Sequence, residues 1–157
     1  MSKFTSRRSI VLGAILTLVV AGAAVAYWTA GGSGAGSASA GTTSALTANQ
    51  TSTLAAMYPG DSAQNITGTF DNPNSGPIRV NSVTASISSV TKAAGAPAGT
   101  CDATDFTLAN PAMTVGTDVP VGTGVGAFSG ATIKFNNKAS NQDACKGATV
   151  NLGYAIS

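Results

Sequence analysis

The chain predicts an all-β fold, a single sandwich of about seven short strands, and three observations carry that expectation. Apolar residues recur at every second position in several runs, of which Asn65–Asp71, Ala131–Phe135 and Ala148–Ile156 are the clearest. That period belongs to a strand with one buried face. Between the runs lie turn sequences rich in proline, glycine, asparagine and aspartate, and no stretch after Leu46 keeps a helical period long enough to compete.

The N-terminus is organised differently. Ile10–Trp28 is an uncharged run of 19 residues, which as a helix would rise about 28 Å at ~1.5 Å per residue and nearly match the ~30 Å hydrocarbon core of a bilayer. Lys3, Arg7 and Arg8 precede it with no acidic residue among them. The positive-inside bias then keeps the N-terminus in the cytoplasm and sends the remainder across. The apolar core Ile10–Val20 gives way to Ala21–Ala26, where Ala24-Val25-Ala26 offers an A-x-A cleavage pattern. Residues 1–28 are therefore read as a signal peptide with Ala24 and Ala26 as the cleavage signal, or as a retained N-terminal transmembrane helix with Tyr27 and Trp28 at the far interface. Ser6–Val11 also matches part of a twin-arginine export signal. Both fates make the bulk of the chain extracytoplasmic, secreted or at the cell surface.

Residues 29–44 are almost entirely Gly, Ser, Ala and Thr, too small to bury enough apolar area to offset ordering entropy. They read as a flexible linker, spanning roughly 20–24 Å as a random coil. A second reading makes part of this arm a strand donated to a neighbouring subunit.

Residues 45–157 hold the sandwich. Tyr58-Pro-Gly-Asp61 is a turn; the strand Asn65–Asp71 follows, with Ile66 and Phe70 on one face and Thr67 and Thr69 on the other; Asp71–Pro77 turns again. Ile78 and Val80 then alternate, but Val83, Ala85 and Ile87 continue on the opposite parity. That slip predicts a bulge, or a strand passing between sheets. A strand with Phe106 and Leu108 follows the loop Lys92–Thr100, and another is expected around Met113 and Val115. Val119-Pro-Val121 and the glycines around Val125 predict an edge or a loop, since proline cannot donate to a central ladder. Ala131–Phe135 alternates again. In Ala148–Ile156, Val150, Leu152, Tyr154 and Ile156 face inward and Thr149, Asn151 and Gly153 outward. About seven such strands in a domain of this length make an immunoglobulin-like sandwich.

The chain has two cysteines, Cys101 and Cys145, 44 positions apart. In an exported domain they read as one disulfide. Closing a loop of that size contributes roughly 4 kcal/mol in the chain-entropy model, a large share of a net stability of about 5–15 kcal/mol. Metal or redox roles lack partners, because there is no histidine and no C-x-x-C.

The segments Asn141–Tyr154, Cys101–Phe106, Met57–Gly60 and Phe70–Asn74 resemble a group of uncharacterised exported proteins of actinobacterial, Gram-positive type, hypothetical membrane or secreted proteins with an immunoglobulin-like domain. The resemblance spans nearly the whole chain. It implies the disulfide and the sandwich and supplies no activity. The junction Ala26-Tyr-Trp-Thr29 is also similar to that of the signal-peptide-bearing TasA and camelysin fibre proteins, although glycine and serine stand here where those proteins carry acidic residues.

Only 9 % of the chain is charged, and glutamate and histidine are absent. Apart from the leader, five basic residues face six aspartates; nucleic-acid binding, which needs a basic patch, is not expected. Without histidine the usual triads are excluded. Paired-carboxylate chemistry would rest on Asp61, Asp71, Asp102, Asp105, Asp118 and Asp143, nearly all in turn-like sequence. Ser89-Val-Thr-Lys92 has serine–lysine spacing but lacks the accompanying S-D-N and K-T-G motifs, and Gly122-Thr-Gly-Val-Gly126 lacks the lysine and helix of a phosphate loop. Asp102 and Asp105 are the nearest approach to a calcium site, with no full ligand set. Asn49-Gln-Thr51 and Asn65-Ile-Thr67 fit the glycosylation sequon.

The expectation is an exported, non-enzymatic structural or adhesive protein of the cell surface or medium, with no cofactor, no catalytic residue and no resident metal. Its partners are the export and signal-processing machinery, the membrane if the apolar run is retained, and further copies of itself. The alternative is an extracellular module that binds a small ligand, ion or glycan in its loops. No apolar tail or sorting motif follows the last strand, so attachment is expected from the N-terminus or from partners.

Overall fold

The computed structural model describes residue 31 and residues 33–157; the segment Ile10–Trp28, with Ala24 and Ala26, lies outside them. Residues 33–40 are exposed and without regular structure. Gly41–Ser157 forms one compact unit of seven strands: β1 (Thr47–Gln50), β2 (Gln64–Asn72), β3 (Ile78–Thr91), β4 (Phe106–Ala109), β5 (Ala112–Val119), β6 (Gly122–Phe135) and β7 (Thr149–Ile156). They form two antiparallel sheets, β1-β2-β6-β4 and β5-β3-β7. Four strands against three is the layering of a constant-type immunoglobulin domain. Here β6 pairs with β2, and β3 is central in the facing sheet.

The period-two pattern decides which residues enter the core. Ile66 and Phe70 of β2 are fully buried, as are Val80 and Val83 of β3, Ile133 of β6 and, nearly so, Met113 and Val119 of β5. Phe128 bridges the layers, its ring 5.4 Å from Phe70 and 5.3 Å from Tyr154. Gly68 lies on the inner face of β2 for a steric reason: a Cβ there would overlap the Phe128 ring and the Asn49 carbonyl. A second cluster, Phe106, Phe135 and Cys145, closes one end of the sandwich.

The parity slip in β3 is a bulge. Its pairing with β5 shifts between Val80 and Ser82, which lets Val80 and Val83 both reach the core. A further shift against β7 follows between Ile87 and Ser89.

The glycine-rich stretch departs from expectation. Val119 does end an edge strand, but Pro120-Val121 is only a link between the sheets, and Gly122–Phe135 is a 14-residue strand between β2 and β4. Gly122, Gly124 and Gly126 all have positive φ, and the β2–β6 register shifts beside them, between Gly68/Phe70 and Phe70/Asn72. These glycines absorb bulges within a paired strand where the sequence reads as broken. β1 carries too few large apolar residues to announce itself. It is held by pairing, Thr47 opposite Asp71 and Gln50 opposite Gly68.

Candidate functional site at the disulfide end

The end closed by the second cluster gathers most of the polar chemistry. Cys101 and Cys145 form the disulfide, with Cα atoms 5.1 Å apart. The chain leaves Cys101 into a one-turn helix, Ala103–Asp105, opened by a capping box: Asp102 accepts from the Thr104 N–H, and Asp105 accepts from the Asp102 N–H. The box fixes the entry into β4 and turns Asp105 inward.

Asp105 is buried and 2.8 Å from Lys138 Nζ. It also accepts from Gln142 Nε2 at 3.2 Å. Burial pushes its carboxyl pKa up, but the hydrogen bonds from Lys138, the Asp102 N–H and Gln142 outweigh burial, so the net shift is downward. Asp102 and Asp143 are also lowered, chiefly by hydrogen bonds from Thr104 and Lys146 respectively. Asp143 pairs with Lys146 at 2.7 Å on the exposed rim.

Beside this network opens a cleft of about 650 Å³, between the segment Ala56–Pro59 and the loop that follows β6. Met57, Phe106 and Phe135 form its apolar floor, and Tyr58, 66 % exposed, stands on its rim. Phe106 and Phe135 stack with centroids 5.0 Å apart. The cleft combines apolar surface with two lysines, each already matched to an aspartate, which suits a neutral or weakly polar ligand better than a strongly charged one.

Each residue considered for chemistry has a settled position. Asp105 and the sulfurs of Cys101 and Cys145 lie within 4.8 Å of one another, but the sulfurs are bonded to each other and offer no thiolate to a metal. Both Asp105 oxygens already accept from the Asp102 N–H, Lys138 and Gln142, and one Asp102 oxygen accepts from the Thr104 N–H and hydroxyl. Asp61 accepts from the Tyr58 N–H and Asp71 from the Gly124 N–H, while Asp118 faces Arg79 at 3.6 Å. Ser89 and Lys92 do not meet: Ser89 Oγ accepts from Asn151, and Lys92 donates to the carbonyls of Pro97 and Gly99. Gly122–Gly126 belongs to β6.

Two features escaped the sequence reading. The Lys138–Asp105 pair joins distant segments and has no local signal. Asn72, buried at the end of β2, donates to the carbonyls of Gly76 and Val119 and accepts from Asn74, tying the β2–β3 turn to the end of β5. An asparagine at an inward strand position just before a turn was the available clue. No protein-family model, curated protein or solved structure matches the chain.

Proposed function

We propose that this is an exported, non-enzymatic protein that does structural or adhesive work at the cell surface or in the medium as a subunit of an assembly. One observation carries the reading. All six aspartates are engaged in structural contacts, as caps, turn acceptors or ion pairs, and the chain has no histidine, so the side chains that most often do acid–base catalysis are either missing or committed to holding the fold. The Cys101–Cys145 disulfide supports an oxidising compartment, and the basic, then apolar N-terminus supports export. Among the described residues no helix is long and apolar enough to cross a membrane.

The test is the intact mass of the protein recovered separately from medium and from membranes. A species beginning near Tyr27, lighter than its reduced form by the two thiol hydrogens, is the expected result. A membrane-bound mass retaining Ile10–Trp28 makes it a tethered surface domain. Recovery only from the cytoplasm, with free thiols, overturns the reading.

A second reading, an extracellular binding module, is favoured by the cleft at the disulfide end. It expects saturable thermal stabilisation of the monomer by a small apolar ligand and loss of that effect in Tyr58→Ala. A screen in which every shift survives Tyr58→Ala counts against it.

A further inference from the structure

The sandwich has four edge strands, β1, β4, β5 and β7, and three of them are guarded. β1 and β4 are four residues long. β5 lies between Pro111 and Pro120, carries Asp118, and is bulged, with Gly116 at φ 63°. Short length, proline, charge and bulges keep an edge from recruiting another strand. β7 has none of them. It is eight residues, Thr-Val-Asn-Leu-Gly-Tyr-Ala-Ile, without charge, proline or a positive φ.

Hydrogen bonding fixes which of its backbone groups are free. The Ser157 N–H donates to Ser82 O at 3.0 Å, and the Ser82 N–H to Ser157 O at 3.1 Å. Ser86 and Ser88 hydroxyls donate to the carbonyls of Gly153 and Asn151. Odd-numbered residues thus turn their backbone toward β3. By alternation Leu152, Tyr154 and Ile156 turn theirs away, where no described residue pairs with them. The same three side chains line a groove of about 630 Å³ together with Leu46, Ala48 and Val80. Thr47 and Arg79 also line it, so a free ladder coincides with a groove whose β7 side is apolar.

We propose that this edge pairs antiparallel with β7 of a second copy, about a two-fold axis at Tyr154. Only outward-facing residues can oppose one another, so Tyr154 meets its own counterpart and Leu152 meets Ile156 of the other copy, twice. The outward N–H and C=O groups of Leu152, Tyr154 and Ile156 then all find partners in the other copy. The inner face pairs aromatic with aromatic and aliphatic with aliphatic, the outer face sets Gly153 against Ala155, and no like charges meet. The Gly/Ser/Ala/Thr arm of a second copy would also fit the ladder, but its small side chains would leave the groove largely unfilled. Seven overlapping residues, Asn151–Ser157, at ~3.4 Å each, on the side of a two-layer sandwich about 20 Å thick, give a footprint of roughly 500 Å² per copy. Both copies together fall near the ~1,200 Å² lower bound of stable complexes. The contact is reversible and gains strength where many copies are held close together. It gives the assembly reading a partner and rests on that reading only to that extent.

The test uses the full chain in an exporting bacterial host, with a photoreactive amino acid in place of Asn151 and cross-linked peptides identified by mass spectrometry. The expected product joins β7 to β7 of a second copy. Ala155 is exposed on the outer face, and a two-fold pair brings the two copies of position 155 to about 7–8 Å. Ala155→Lys or Ala155→Glu alone should each lower the yield about tenfold, a loss of ~1.4 kcal/mol, and co-expression of the two should restore it. Intact mass and circular dichroism verify that each variant is oxidised and folded. A cross-link to residues 33–44 of a second copy, a cross-link only to another protein, no cross-link, or a yield indifferent to the charges overturns the pairing. Export is read separately from the mass of the same samples, so failure of the pairing and failure of the export reading are distinct results.

Discussion

The disulfide end and the β7 edge of this sandwich are built in opposite ways. At the disulfide end a covalent bond, a capping box, an ion pair to the buried Asp105 and a stacked phenylalanine pair fix the same few residues several times over. Along β7 the inward side chains are only half-buried, the backbone has one partner strand rather than two, and no charge intervenes. A chain with so few charged residues has concentrated Asp102, Asp105, Lys138, Asp143 and Lys146 at one end. The difference teaches that local stability and surface availability are separate here: the end with the cleft is rigidly specified, and the strand with exposed pairing capacity is the lightly held one.

The largest effect should come from opening the strong end. Replacing both cysteines, Cys101→Ala with Cys145→Ala, is expected to cost about 4 kcal/mol by loop-closure entropy, read as the shift in urea midpoint between the oxidised protein and the variant. A loss under 1 kcal/mol would mean that the capping box and ion pair hold this end without the bond.

Next comes a matched pair of core truncations. Ile133→Ala, at a fully buried position in β6, should cost about 2–5 kcal/mol. Leu152→Ala on β7 should cost less than half as much, because its side chain already meets the open groove. Equal losses would break the comparison, showing β7 to be as tightly packed as the centre.

Acidification probes the strong end alone. The Asp105 carboxyl pKa is held below its ordinary value, so the stability it contributes is fully present above the unfolded-state pKa of about 3.9 and is lost as pH falls through the lower folded-state value. The melting temperature of the wild type should therefore fall below about pH 4. Asp105→Asn should be about 1–2 kcal/mol less stable at neutral pH and show a flatter acid limb, with the remaining slope due to Asp102 and Asp143, which are shifted in the same direction. Superimposable acid limbs would assign the pH dependence to those two instead.

What the sequence made legible follows from how local each signal is. The strand around Ile66 and Phe70, the slip between Val80 and Val83, the inward face of β7 and the cysteine pairing depend on neighbours in sequence or on there being only two thiols. The stretch Gly122–Gly126 misled, because a glycine that breaks a strand and one that absorbs a bulge inside it look alike until the partner strand is in place. The disulfide end was half legible. Its aspartates stood out, but the cation that neutralises Asp105 is Lys138, and Lys138 also reaches Thr104, 34 positions away. Nothing in either segment names the other. The β7 edge was legible as a strand and not as an open one, since which edge is covered depends on strand order.

The smallest effect on stability is expected at β5, the other edge of the same sheet, and it sharpens the comparison most. Arg79 and Asp118 face each other at 3.6 Å with both side chains more than half exposed, an arrangement that contributes under about 1 kcal/mol. Asp118→Val should lower the melting temperature by no more than about 2–4 °C, the shift that ~0.5 kcal/mol produces in a domain of this size. It should nonetheless raise light scattering on prolonged incubation, because it removes the one carboxylate on β5 and leaves Pro111, Pro120 and the bulge as that edge's remaining guards. If scattering does not change, proline and bulge alone protect β5, and the absence of charge on β7 matters less than the absence of those two backbone devices.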